Sequence, residues 1–187
     1  MERRDLVRAM GAAAAFSLVP RTAEAAWAAI AAAPHAARRS LSQQQAATVG
    51  AVADTIIPRT DTPGATDIGI QAFVDVIVTE NYTGDERAAF LSGLEAINGY
   101  AKSLDATKPA FVDMGAGSDR HGALQDIERL ADRRAEPART YWRLKGLVIH
   151  GYFTSERVMK DVLNVEIRPG RFDGAASMPA RGGGSHA

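Results

Sequence analysis

The chain of 187 residues contains no cysteine. This absence excludes disulfides, thiolate zinc sites, iron–sulfur clusters and haem attached through a C-x-x-C-H motif. Aromatic residues make up only 6% of the sequence, which gives no sign of a stacking platform for sugars or nucleobases. Basic and acidic residues are equal in number, at 22 each, and this neutral balance argues against a nucleic-acid partner.

Motifs for nucleotides, cofactors and metals are also missing from the sequence. The best match to a dinucleotide-binding turn is GAGSDR at 115–120, but Arg120 stands at the third glycine position and no strand precedes it. There is no P-loop, no G-x-S-x-G elbow and no pair of histidines at metal-ligand spacing. We therefore predict no catalytic, cofactor-binding or metal-binding residue in this chain.

The N-terminus resembles a twin-arginine export signal. Arg3 and Arg4 stand in the run RRDLV, and a mildly apolar stretch follows over 9–19. Ala23-Glu24-Ala25 provides a small-x-small cleavage site. Because this pathway exports folded proteins, we predict a periplasmic protein. A cytoplasmic protein with an alanine-rich start and an uncleaved anchor are the alternatives.

Apolar residues recur at helical spacing through most of the chain after this leader. Ser42 with Gln45, and Thr83 with Glu86, form capping boxes at two helix starts. The helical stripes fall within 49–56, 70–77, 90–97, 124–131 and 141–148, and Ser155 is placed to cap a last short helix. The less regular stretch 103–122 is expected to be a loop around a short helical turn.

No run alternates as a strand would, so the sequence predicts an all-α domain of five to six helices. The expected organisation is a signal peptide at 1–25, an alanine-rich linker at 26–40, the helical domain at 41–168 and a glycine-rich tail at 169–187. The composition of the tail predicts an extended or disordered segment.

Asp54, Asp61 and His150 are the residues that an independent enzyme would use. Paired carboxylates serve acid–base chemistry, but Asp54 lies near a helix end and Asp61 lies in a Pro-Gly turn, where aspartate caps its own backbone. His150 precedes a glycine at a predicted helix end and there complements the helix dipole. An exported hydrolase using these residues stays an alternative, as does a stand-alone periplasmic helical binding module.

Three segments, taken together and in order, resemble one protein family. They are ADTIIPRTDTPGA at 53–65, GYFTSE at 151–156 and RPGRFDG at 168–174. Behind a twin-arginine leader, they are similar to the small subunit called gluconate 2-dehydrogenase subunit 3. Related small subunits accompany FAD-dependent glucose, fructose and glycoside 3-dehydrogenases.

The resemblance implies a non-catalytic subunit that works as a heterodimer. The FAD and the chemistry would belong to a larger flavoprotein subunit of the glucose–methanol–choline type. The small subunit would act as a chaperone for its maturation and carry it through the twin-arginine translocase as a hitchhiker. A multihaem cytochrome c is a further expected partner, which would take the electrons and tether the complex to the membrane.

The partner-binding residues are expected in the first two segments. They are Ile57, Pro58, Asp61, Pro63, Gly64, Tyr152, Phe153, Ser155, Glu156 and Arg157. Two prolines stiffen the first segment, and a stiff turn loses little entropy on binding. Aromatic and arginine side chains, which the second segment supplies, dominate interface hot spots. The alternative is that Tyr152 and Phe153 close the core of this domain itself.

Overall fold

A computed structural model of the chain describes residues 20–32 and 40–164. Arg3 and Arg4 of the predicted export signal lie outside the described residues, as do the third family segment at 168–174 and the tail at 169–187.

The described residues form one all-helical domain, which confirms the predicted fold class. The helices are α1 (Pro20–Ala32), α2 (Gln43–Ile56), α3 (Ile70–Asn81), α4 (Gly84–Leu104), α5 (Ser118–Arg129), α6 (Ala138–Thr154) and α7 (Glu156–Asp161). Two short 3-10 helices, Thr66–Ile68 and Phe111–Asp113, lie in the connections. No described residue belongs to a strand, and no helix in these ranges is long and apolar enough to span a bilayer.

Both predicted capping boxes are confirmed. The Ser42 hydroxyl accepts from the Gln45 backbone N–H at 3.2 Å, and the Gln45 side chain accepts from the Ser42 N–H at 3.0 Å. Thr83 and Glu86 make the same reciprocal pair at 3.3 and 3.0 Å. Each box satisfies two backbone N–H groups that the first turn of a helix leaves without a partner.

α3 is the central helix of the domain and packs against α1, α2 and α6. Its predicted stripe is buried, and Val76 and Val78 are buried as well. A helix that is apolar on most of its circumference is stable only when neighbours surround it. Asp75 is the buried exception, and its carboxylate accepts the N–H groups of Ser40 and Leu41, both at 2.9 Å. This pair of bonds holds the start of the α2 region against α3.

Two expectations about helix boundaries are wrong. The predicted loop at 103–122 ends early, because α5 begins at Ser118 after Gly117, which has a φ of 92°. The sequence predicts a helix end at His150 and the glycine after it, yet α6 continues to Thr154. A methyl group on Gly151 would lie 2.6 Å from side-chain atoms of α3, so this glycine permits the two helices to cross closely.

Candidate partner-binding site

The first family segment forms a connection, residues 57–69, that two aspartates organise. Asp54 in the last turn of α2 accepts the backbone N–H of Thr66 at 3.0 Å and its hydroxyl at 2.8 Å. Asp67 accepts the N–H of Gly64 at 2.8 Å and a guanidinium N–H of Arg59 at 3.2 Å. These bonds join the two ends of the turn, so its backbone is held in one conformation without a partner.

Gly64 is required by the same turn. A methyl group at this position would lie 2.9 Å from the backbone nitrogen of Arg59, a distance that real side chains do not show. The chain therefore doubles back on itself at Gly64, and the N–H of Ala65 donates to the carbonyl of Ile57 at 3.0 Å. The residues that the sequence indicated as a stiff turn are thus tightly folded.

The second family segment lies directly against the first. The Tyr152 hydroxyl donates to the Pro63 carbonyl at 2.7 Å, and the Arg157 guanidinium donates to the Asp67 carbonyl at 3.1 Å. Ser155 begins α7 by accepting the N–H of Val158 at 3.4 Å, while its hydroxyl donates to the Tyr152 carbonyl at 2.8 Å. The fold therefore joins two segments about ninety residues apart in the chain into one surface.

Tyr152 and Phe153 have different surroundings. Tyr152 is buried, whereas 49% of Phe153 is exposed. The two rings meet edge to face, with centroids 5.3 Å apart and an angle of 88° between their planes. Because the hydroxyl of Tyr152 is held by the turn, the tyrosine ring supports an exposed phenylalanine in a defined orientation.

Phe153 borders an apolar groove of about 460 Å³ between the end of α2, α5 and α6. Its apolar lining consists of Ile56, Ile57, Leu124, Ile149 and Phe153. We call this the Phe153 groove. Among the described residues, the other large exposed apolar side chains are Leu104 and Leu163, and neither lines this groove.

The polar side chains that line the Phe153 groove include three that bond one another, Glu128, Tyr141 and Lys145. The Glu128 carboxylate accepts from both the Lys145 ammonium and the Tyr141 hydroxyl. The bond from Lys145 is the main cause that lowers the pKa of Glu128, followed by the bond from Tyr141. Burial, followed by the bond to Glu128, raises the pKa of Tyr141. The groove therefore has an internally neutralised ion pair beside its apolar lining.

A larger and more polar cleft of about 730 Å³ adjoins the groove, and both share Thr55 and His121. Its lining comes from the folded turn on one side and from the start of α5 on the other. Pro58, Arg59 and Asp67 are contributed by the turn, and Arg120 by α5. The two depressions together make a continuous concave surface next to both family segments.

The predicted site residues divide into three groups in the structure. Ile57 and Phe153 line the groove, and Pro58 lines the larger cleft. The second group holds the surface together through backbone and side-chain hydrogen bonds, and its members are Pro63, Gly64, Tyr152, Ser155 and Arg157.

Asp61 and Glu156 form the third group, which lines neither depression. Asp61 is exposed and accepts the Thr60 hydroxyl at 2.9 Å. Glu156 is exposed and pairs with Lys160 one turn later, and this bond lowers the pKa of Glu156. Their partner-binding role stays a prediction, as it does for the other residues.

Part of this surface was not predicted from the sequence. Leu124 and Ile149 belonged to predicted helical stretches, but their common position in the groove depends on how α5 and α6 pack. The sequence also indicated Asp61 as the aspartate that caps the turn, whereas in the structure Asp67 accepts the Gly64 N–H. An aspartate three residues after a Pro-Gly pair was the available signal for this role.

The residues of the hydrolase alternative are not combined into a catalytic arrangement. Asp54 lines the larger cleft and bonds Thr66, whereas Asp61 and His150 line neither depression. His150 is buried inside α6 near the Phe73 ring, and burial lowers its pKa. The expectation that His150 complements the helix dipole is wrong, because α6 continues to Thr154 and its last turn holds no basic residue.

The described residues contain no group of three or more histidine and carboxylate side chains that could hold a metal ion.

Comparisons with known proteins agree with the motif resemblance. The family model described as gluconate 2-dehydrogenase subunit 3 matches residues 43–170. This match contains the whole folded turn and the whole segment around Tyr152 and Phe153. No curated protein and no solved structure matches the chain. Because the family match covers more than half of its length, the chain belongs to the gluconate 2-dehydrogenase subunit 3 family.

Proposed function

We propose that this protein is the non-catalytic small subunit of an exported FAD-dependent sugar or glycoside dehydrogenase. The family name describes a subunit of a dehydrogenase. The FAD would lie in a flavoprotein partner of the glucose–methanol–choline type. The small subunit would bind this partner, assist its maturation and accompany it through the twin-arginine pathway.

One observation carries the partner-binding part of this proposal. The two family segments meet through the Tyr152–Pro63 and Arg157–Asp67 bonds and present a preformed surface with a half-exposed phenylalanine beside an apolar groove. A preformed surface with an aromatic anchor is favourable for binding, because little side-chain and loop entropy is lost. Membership of a subunit family explains why such a surface remains uncovered in the single chain.

The same surface argues against a stand-alone binding module. A module without a protein partner has no need to expose a supported phenylalanine beside apolar side chains, which favours aggregation. A dehydrogenase subunit, in contrast, exposes such a surface so that its partner can bind there. We therefore rank the accessory-subunit function first.

The test is co-expression of the tagged small subunit with its neighbouring genes. The expected result is co-purification of a larger protein with the visible absorbance of bound flavin, together with sugar dehydrogenase activity. The small subunit alone is expected to be colourless and inactive. Purification of the small subunit without any flavoprotein would contradict the proposal.

The export part of the proposal has a separate test. Replacing Arg3 and Arg4 together by lysine is expected to leave both subunits in the cytoplasm, because the partner would travel on this leader. Dehydrogenase activity is measured in the periplasmic and cytoplasmic fractions. A matched change of Arg8 to lysine serves as the control for altered leader charge outside the arginine pair. Normal periplasmic activity in the double variant would refute the hitchhiker role.

A further inference from the structure

α1 crosses the boundary at which the sequence predicts removal of the leader. The cleavage motif Ala23-Glu24-Ala25 lies within the helix Pro20–Ala32. Ala23 has 0% and Ala26 has 1% of its surface exposed, whereas Glu24 and Ala25 face solvent. Residues 23, 26, 27 and 30 follow helical spacing and form the face of α1 that packs on the domain.

Trp27 is the main anchor of this helix. Its ring stacks on the Phe73 ring of α3, with centroids 5.0 Å apart and an angle of 27° between the planes. Its indole N–H donates to the Thr154 hydroxyl at the end of α6 at 3.3 Å. α1 therefore covers a buried phenylalanine and connects two helices of the core.

The packing of α1 limits access of a processing protease to the Ala23-Glu24-Ala25 site. Proteases cleave chains that are exposed and locally unfolded, since a substrate must fit the active site in an extended conformation. Cleavage after Ala25 would require α1 to leave α3 and α6 and to unwind. If the chain is exported already folded, as the proposed function holds, a processing enzyme meets this site in its packed form.

We propose that the packed α1 shields the Ala23–Ala25 site, so that the folded protein keeps residues 20–32 as part of its core. The helix is then a structural element of the working subunit. This inference uses the export leader of the proposed function but does not depend on the flavoprotein partner.

The experiment measures cleavage by a purified signal peptidase in detergent, with the products identified by intact mass. The substrates are the full chain and a peptide of residues 1–32, which contains the same site without α3 and α6. An isolated helix of this length is marginally stable, so the site is accessible in the peptide. We expect cleavage of the peptide after Ala25, and cleavage of the full chain at least tenfold more slowly.

Two variants of the full chain test whether α1 packing is the cause. Trp27→Ala removes the stacked ring and is expected to speed cleavage about tenfold or more. Thr154→Val keeps the shape of the side chain but removes its hydroxyl, which accepts the indole N–H and also donates to the His150 carbonyl at 2.7 Å within α6. It is expected to speed cleavage by a smaller factor of roughly three to five. Glu24→Gln is the control variant, because it changes an exposed residue of the same helix. The peptide of residues 1–32 with the same change shows any effect of Glu24→Gln on recognition by the signal peptidase.

Equal cleavage of the full chain and the peptide after Ala25 would overturn the proposal. A peptide that is not cleaved would overturn it as well, because no site would then need protection. Circular dichroism of the Trp27→Ala variant separates local release of α1 from global unfolding, and Thr154→Val provides the answer if Trp27→Ala unfolds. None of these measurements involves the partner or the translocase, so their outcome is independent of whether the proposed function holds.

Discussion

Replacing Phe153 by alanine is expected to weaken binding of the proposed flavoprotein partner more than it destabilises the small subunit. The phenylalanine is 49% exposed, and its ring meets the Tyr152 ring edge to face. Its contribution to the fold is therefore small, and its exposed half is available to a partner.

The size of the effect follows from the exposed area. A phenylalanine buries on the order of 200 Å² when it is fully covered. Half of that area, about 100 Å², is left for the partner, and at about 25 cal/mol per Å² its burial is worth roughly 2.5 kcal/mol. This free energy corresponds to roughly a sixtyfold rise in Kd. The loss of folding stability should be about 1 kcal/mol, because half of the side chain already lies in water.

The assay measures the Kd of the small-subunit variants for the purified flavoprotein by calorimetry, and their stability by urea unfolding. Leu104→Ala is the matched control, because Leu104 is also 49% exposed but lies at the end of α4 and lines neither depression. It should change Kd by less than about threefold. Equal effects of Phe153→Ala and Leu104→Ala on binding would refute the assignment of the Phe153 groove as the docking surface.

Three further predictions concern the architecture that supports the groove. Tyr152→Phe should cost about 1 kcal/mol in urea unfolding, because the Pro63 carbonyl loses its 2.7 Å hydrogen bond. Gly151→Ala should cost about 1–3 kcal/mol by crowding α3, while Gly146→Ala, on the same helix with no atom within 4 Å of the added methyl, should be neutral or stabilising. Burial lowers the pKa of His150 from its ordinary 6.5, so the unfolded chain takes up the proton first as pH falls. Stability should therefore decrease below about pH 6.5, and His150→Gln should reduce that decrease in unfolding curves measured between pH 7 and 5.

The helices of this protein were predictable because their signals are local. Ser42 with Gln45 and Thr83 with Glu86 satisfy backbone groups within one turn, so their effect does not depend on the rest of the chain. The buried stripe of α3 is likewise a repeat of apolar residues at the helical period. These features establish an all-α domain and, together with the family segments, membership of the subunit family.

The candidate partner-binding site was predictable only as two separate segments, each made of residues near one another in sequence. Successive residues on a helix point about 100° apart, so of Tyr152 and Phe153 only one could face the turn at Pro63. The crossing of α6 over α3 at Gly151 decides which one does, and that crossing depends on contacts between distant segments. Leu124 and Ile149, which line the groove beside Phe153, could not be predicted for the same reason.

The sequence by itself determined the fold class, the two helix starts with capping boxes and the family of this protein, because each depends on short-range patterns. Tertiary structure alone decided that Asp67 closes the turn, that Phe153 rather than Tyr152 is exposed, and that α1 covers Phe73. These outcomes depend on which faces of separate helices meet. Close packing selects those faces through the volumes and hydrogen bonds of residues far apart in the chain.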